Sequence, residues 1–244
     1  MFKKISSVLF IIFTIGCLYL MSKGMVGISA AYILIAFNIT RVFAEVYAAR
    51  LIVNKLKIPE SIKQEVPRKL GHMLISFVTG PMVYFSFKGT IHMPICIIAI
   101  FIFVLIIEHT KLIKLISRND NDTDNLESIK YYVLASMINF IIAYFNPAYL
   151  MPTMLGLMTV GAGDPCACFV GKLFGKHKIY KHKSLEGFIG FIVGAIIAMY
   201  IFSGISIYYL IPIAICGAIA ELYSDKYDNL VIQLICAFVA FLII

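Results

Sequence analysis

Tryptophan is absent from this chain, and charged residues make up only 14% of it. Soluble domains carry about a quarter charged residues and about 45–50% apolar ones. Here the apolar share is 61% and the mean hydropathy is +0.93. So little charge excludes an ordinary soluble domain and points to a polytopic membrane protein. Without tryptophan, anchoring at the membrane interface falls to the 14 Tyr and 19 Phe.

Acidic residues are scarcer than basic ones, 13 against 21, for a net charge of +8. The excess does not imply a nucleic-acid partner. The positive residues lie in short loops between apolar runs, where the positive-inside rule accounts for them. The six cysteines show no metal-ligand spacing, and Cys166 and Cys168 are too close together for a C-x-x-C redox motif. They read as small buried hydrophobes. Lys3-Lys4 and the apolar run 5–20 resemble the start of a signal peptide, but no Ala-x-Ala-like cleavage site follows. A retained first span is expected. No internal repeat or low-complexity linker divides the chain, so residues 1–244 are expected to form one integral-membrane domain.

The expected fold is all-α, a polytopic transmembrane helical bundle. A helix needs about 20 largely apolar residues to cross the hydrocarbon core. Nine spans are predicted near 5–22, 25–49, 70–87, 91–108, 131–146, 149–171, 186–203, 206–223 and 230–244. The second is interrupted by Asn38, Arg41 and Glu45. Arg41 and Glu45 share a helix face and can neutralise one another, as a structural pair or as part of a functional site. With a cytoplasmic N-terminus, the lysine-rich loops all fall on the cytoplasmic side and only Lys23 and Lys88 on the other. The polar stretch 119–127 opens like a calcium loop but lacks the required glycine and final glutamate, and reads as a solvated loop.

The stretch Gly161 to Gly187 is the most informative. Asp164 interrupts an apolar run, between Gly163 and Pro165. Proline removes a donor and disfavours helix in the residue before it, so a broken helix is predicted near Asp164. Backbone N–H groups freed at the break would point at an anion. A carboxylate at that depth needs a lysine or a metal ion as partner. Five lysines follow, Lys172, Lys176, Lys178, Lys181 and Lys183, and then Ser184-Leu185-Glu186-Gly187. Ser184 reads as an N-cap with Glu186 in the first turn, or with Lys183 as part of an anion pocket. Neither a Walker A loop nor a dinucleotide fingerprint is present: Leu173 and Cys166 stand where those motifs require other residues.

Two further clusters carry chemistry. Arg68, Lys69 and His72 open the third span, either as interfacial anchors or as part of a site. Glu221, Asp225 and Asp228 close the eighth, spaced to share one helix face if that helix continues. Such oxygen donors suit Mg²⁺, which uses one or two carboxylates together with substrate phosphates.

Taken together, Arg68-Lys69 with His72, Gly163-Asp164, Gly171-Lys172 with Gly175-Lys176, Lys183 to Gly187, and Glu221 followed by Asp228-Asn229-Leu230 resemble the CTP-dependent polyprenol kinase family. That family includes dolichol kinase, phytol kinase and a fungal-type diacylglycerol kinase, and the resemblance covers about residues 65–232. It implies transfer of the terminal phosphoryl group of CTP, with a divalent cation, to a membrane lipid alcohol at the cytoplasmic face. By position it implies catalytic roles for Asp164, His72 and Lys183. Nucleotide or phosphate contacts would come from Arg68, Lys69, Gly163, Lys172, Lys183, Ser184, Glu186, Gly187 and Asn229. Metal ligation would come from Asp164, Glu221 and Asp228, with Asp164 or His72 taking the alcohol's proton. The long N-terminal membrane half of eukaryotic dolichol kinases has no counterpart here, so a small prokaryotic-type member is expected. A CDP-diacylglycerol synthase-type cytidylyltransferase shares the Lys183-to-Phe188 element, but its expected Ser-x-x-Lys-Arg and Asp-Arg-x-Asp-Ser signatures are absent. A small anion transporter would be supported by an inverted repeat, and none is found.

Overall fold

The computed structural model describes residues 13–108, 124–224 and 227–244. Within them the chain is helical apart from one small hairpin. α1 (Phe13–Ser22) leads to α2 (Ile28–Val53) and a short α3 (Glu60–Lys63). α4 (Glu65–Leu74) runs through a π-helical turn (Ile75–Thr79) into α5 (Gly80–Phe87). α6 (His92–Glu108) and α7 (Asp124–Phe145) follow, and a 3₁₀ turn (Pro147–Tyr149) enters α8 (Leu150–Phe174). Strands β1 (Lys178–Tyr180) and β2 (Lys183–Ser184) pair antiparallel before α9 (Leu185–Ser203), α10 (Ile207–Tyr223) and α11 (Asp228–Ile243).

Among the described residues five stretches are long and apolar enough to cross a membrane: Ile28–Val53, Glu60–Phe87, Ser128–Phe145, Pro147–Phe174 and Leu185–Ser203. Shorter apolar helices occupy Phe13–Ser22, His92–Ile107, Ile207–Tyr223 and Asp228–Ile243. Length and apolarity therefore support five of the nine expected spans, and the other four positions hold shorter helices. Outward-facing Ile33, Phe37, Ile201 and Tyr208 are exposed, an apolar exterior suited to lipid.

α8 is the axis of the bundle. Every residue from Pro152 to Pro165 is buried, because the helix is apolar or small on all sides and neighbours close over each face. It packs against α9 and α11 above all, and also against α4, α7 and α10. Small residues set these approaches. A Cβ on Gly161 would stand 2.2 Å from Ser76, and one on Gly156 would stand 2.7 Å from the Gln233 carbonyl. α9 returns the pattern, with Gly187, Gly190 and Gly194 against Ala167, Val170 and Cys166 of α8.

Three expectations are corrected here. α8 does not break near Asp164 but continues through Pro165 to Phe174. Proline removes a single helical donor, and packing around the whole of 152–165 holds the axis in place. No half-helix N-terminus at that depth is therefore free to aim at an anion. The backbone irregularity lies instead in the π-helical turn beside α8, a feature frequent at functional sites. There Ser76 hydrogen-bonds Tyr132, and Asn38 donates to Thr79 Oγ1 at 2.9 Å. Second, α10 ends at Tyr223 and α11 begins at Asp228, so Glu221 and Asp228 lie on two helices rather than one face. Asp225 lies outside the described residues, as do Lys3, Lys4, Lys111, Lys114 and Arg118. Third, of the polar stretch 119–127, residues 124–127 open α7 instead of forming a loop, and 119–123 lie outside the described residues.

The second span's charges form a structural cluster. Arg41 Nε donates to Glu45 at 2.8 Å, and Nη1 donates to Thr14 at 2.9 Å and Asn38 at 3.1 Å. These bonds tie α2 to α1.

Because the Gly161 contact is with Cβ and Oγ of Ser76, a larger residue must push α4 and α8 apart. Gly161→Val is expected to destabilise the protein by about 1–3 kcal/mol, the usual cost of overpacking. A lower melting temperature of the detergent-solubilised protein is the readout.

Candidate active site

The site begins with a charge that hydrocarbon cannot hold alone. Asp164 on α8 is almost fully buried, and Lys69 on α4 places Nζ 2.5 Å from its Oδ1. Three residues on, His72 sets Nδ1 at 3.3 Å from Oδ2. A spacing of three puts both groups on one face of α4, and α4 packs on α8. The carboxylate is thus held from two sides. Lys69 and His72 are each only 1% exposed.

One turn towards the start of α4, Glu65 gathers two further cations. It accepts from Arg68 Nε at 3.0 Å and Nη2 at 2.7 Å, and from Lys172 at 3.2 Å. Lys172 also donates to the Ser61 carbonyl at 2.8 Å. Arg68 Nη1 reaches Ser128 Oγ at 3.5 Å, and Ser128 in turn accepts from Asn229 at 2.6 Å.

The hairpin and the start of α9 supply the third wall. Ser184 caps α9 by accepting from Gly187 N at 3.2 Å. Its neighbour Lys183 lies 3.0 Å from Glu221 Oε1 and also donates to the Glu221 and Ser224 carbonyls. A cation at the C-terminal end of a helix is favoured there by the unpaired carbonyls and the dipole. Asp228, at the first turn of α11, accepts the Asn229 backbone N–H at 2.7 Å.

These groups face one cavity of about 920 Å³. Six cationic side chains line it, Arg68, Lys69, Lys172, Lys178, Lys181 and Lys183. Four carboxylates, Glu65, Asp164, Glu221 and Asp228, stand among them. The balance suits a polyanion accompanied by a cation.

Most sequence-predicted residues converge there: Arg68, Lys69, Asp164, Lys172, Lys183, Ser184, Gly187, Glu221 and Asp228. Four do not line it. Gly163 packs against Phe191, where a Cβ would stand 2.8 Å from the ring. Glu186 faces outward and holds His177 Nδ1 at 2.7 Å, bracing the hairpin. Asn229 is joined to the cavity's lining through Ser128 and, by its backbone N–H, through Asp228. His72 lies behind Asp164. Sequence reasoning missed Glu65 and Ser128. Glu65 was visible as an acid three residues before Arg68, the spacing of a helical ion pair. Ser128 gave no signal, since its role depends on α7 meeting α11.

Among the described residues no three His, Cys, Asp or Glu stand close enough to cage a metal. Mg²⁺ does not require such a cage, because waters and substrate phosphates complete its shell around one or two carboxylates. Asp164 and Asp228 are on the same wall, and Asp228 lies within electrostatic reach of Asp164, Lys69 and Arg68. The donor set fits a divalent cation that arrives with a phosphorylated ligand.

The comparisons with known proteins agree with this setting. The profile of the cytidylyltransferase family matches residues 2–243. The dolichol kinase sec59 of Schizosaccharomyces pombe is 29% identical over 96 residues, which cover 36% of this chain and 19% of that protein. The chain therefore aligns with about a fifth of that relative. No solved structure matches.

Removing Lys69 alone strands a buried carboxylate. Lys69→Met is expected to cost about 3–5 kcal/mol, and Lys69→Met with Asp164→Leu to cost less than Lys69→Met by itself. Thermal unfolding of the two variants in detergent measures the difference, and a double variant at least as destabilised as Lys69→Met would overturn the expectation.

Proposed function

The chain belongs to the cytidylyltransferase family, and from that premise we propose that it is a membrane lipid-alcohol kinase. It transfers the terminal phosphoryl group of CTP to an isoprenoid alcohol such as phytol, farnesol or a polyprenol, or to diacylglycerol. The active site opens at the cytoplasmic face of the cell membrane. The observation that carries this reading is one cavity in which acids and lysines from α4, α8, the hairpin, α10 and α11 converge around the Lys69–Asp164 pair. The similarity to a dolichol kinase supports it.

Phosphoryl transfer asks chiefly for positioning and for neutralisation of charge on the moving group. Lys183 supplies that charge from the hairpin, and Arg68 with Lys172 from the cluster around Glu65. Ser184 adds a hydroxyl to the phosphate side, while the first backbone donors of α9 are already used, Leu185 N–H by the His177 carbonyl and Gly187 N–H by Ser184 Oγ. Asp164 and Asp228 would hold Mg²⁺, which supplies further neutralisation of the terminal phosphates. Glu221, paired with Lys183 as Asp164 is with Lys69, is the alternative companion. The hydroxyl proton has two acceptors close together, Asp164 and His72.

The family's own description favours one second reading, cytidylyl transfer, in which the same cavity would direct attack to the innermost phosphorus. Products separate the two. Solubilised protein is incubated with terminally labelled CTP or ATP and with phytol, farnesol, a long polyprenol or diacylglycerol. Label on the lipid with release of CDP from CTP, or ADP from ATP, is the expected result; with phosphatidic acid added as a phosphorylated acceptor, labelled pyrophosphate and CDP-lipid, without transfer to any alcohol, would overturn the kinase reading.

Asp164→Asn is a poor test of chemistry, since it also leaves Lys69 without its buried partner. Asp228→Asn avoids this. It is expected to lower kcat at least 10²-fold, about 2.7 kcal/mol, with the melting temperature unchanged. A variant with full turnover would remove Asp228 from the mechanism.

A further inference from the structure

The imidazole of His72 is buried and only half satisfied. Nδ1 faces Asp164, and the ring stacks on Tyr132 at 5.5 Å between centroids with 21° between planes. Nε2 is buried without a hydrogen-bond partner. A carboxylate held by Lys69 only accepts, so Nδ1 carries the hydrogen and Nε2 presents a lone pair. Leaving such a group unmet is unfavourable, and an orphaned buried atom in a native protein calls for an explanation.

The explanation lies on the side of His72 away from the phosphate cavity. A second cavity of about 70 Å³ opens there, walled by Ile39, Val46, Ile100, Val104 and Val133 among others. Three polar residues reach it: Arg68, His72 and Thr79. Arg68 is engaged by Glu65, and Thr79 accepts from Asn38. A water would need two or more polar partners in this apolar space. What fits is a hydrogen-bond donor on a hydrocarbon body.

The crevice also has an exit. α2 packs along α4 and α5, while α6 packs along α7, which leaves a seam between α2 and α6. Phe43 and Phe103 meet edge to face across that seam at 6.0 Å, and Phe103 is 39% exposed on the outer surface. Both rings line the crevice.

We propose that this crevice is the acceptor subsite. The alcohol's hydroxyl donates to His72 Nε2, its first carbons lie among Val46, Val104 and Val133, and its chain leaves towards the bilayer on the side of the exposed Phe103, whose ring swings away from Phe43 to admit it. The assignment rests on the kinase reading for its purpose. It also narrows the substrate class. The space admits a few carbons beside the hydroxyl, so a single-chain alcohol fits and diacylglycerol, with two ester arms beside its hydroxyl, does not.

A farnesol analogue carrying a photoactivatable diazirine on its second isoprene unit tests this in proteoliposomes. Adducts located by mass spectrometry are expected on Ile39, Phe43 or Val104. Free farnesol should compete with them, and diacylglycerol should not. Val104→Phe, which fills the crevice, should cut labelling at least fivefold while CTP retention changes less than twofold. Labelling scattered over α9 and α10, or undiminished in a folded Val104→Phe protein, would overturn the proposal. The map on the unaltered protein decides even if that variant does not fold. Crevice adducts without any transfer from CTP would defeat the kinase reading and leave the subsite standing. Phosphorylation of farnesol with no crevice adduct would do the reverse.

Discussion

A carboxylate enclosed by apolar helices has to meet a cation, and in this protein that requirement organises the bundle. Asp164 sits on the most buried helix, and Lys69 reaches it from α4. A salt bridge so deep is weak evidence for net stability, because desolvation offsets most of the attraction. Its effect is positional. It fixes the rotation and height of α4 against α8, and the other polar contacts of α4 follow from that register. Glu65 lies one turn outward, Arg68 next to Lys69 and His72 nearly one turn inward, so one helix face carries the whole series.

The second constraint is closeness. Large side chains between α8 and the π-helical turn that follows α4 would hold the two apart. Gly161, nearly one turn before Asp164, meets Ser76 of that π-helical turn and removes the obstruction. The same device on the other side of α8 brings α9 near enough for the Ser184 cap and Lys183 to face the cavity. Charge placement here depends on small residues as much as on charged ones.

Much of this could be read from the chain alone, and what could not has physical causes. Apolar runs located the helices, because hydrocarbon imposes a length on them. The polar clusters stood out since any charge in such a chain is conspicuous, and most of them share one cavity. Proline misled. Its local preference against helix before Pro165 is a matter of a few kcal/mol, and packing on every face of α8 outweighs it. The π-helical turn and the roles of Glu65 and Ser128 were not foreseen, because they depend on which helices meet. Lys183-Ser184 was legible as a cap, yet the contact of Lys183 with the end of α10 was not. Nothing local in sequence joins residues so far apart.

The arrangement has a further consequence for any reaction that joins a charged donor to a greasy acceptor. The two reactants prefer opposite environments, and a single open cleft would suit neither. Here a polar cavity and an apolar crevice lie on opposite sides of the Asp164–His72 contact, and Arg68 borders both. A hydroxyl held at His72 Nε2 would need only its oxygen to cross that thin partition, while its hydrocarbon stayed in apolar surroundings. Preorganised charge acts most strongly where water is excluded, and the crevice side is dry by composition. The buried pair therefore does more than neutralise a misplaced acid. Through His72 it also joins the wall of the polar cavity to the wall of the apolar crevice.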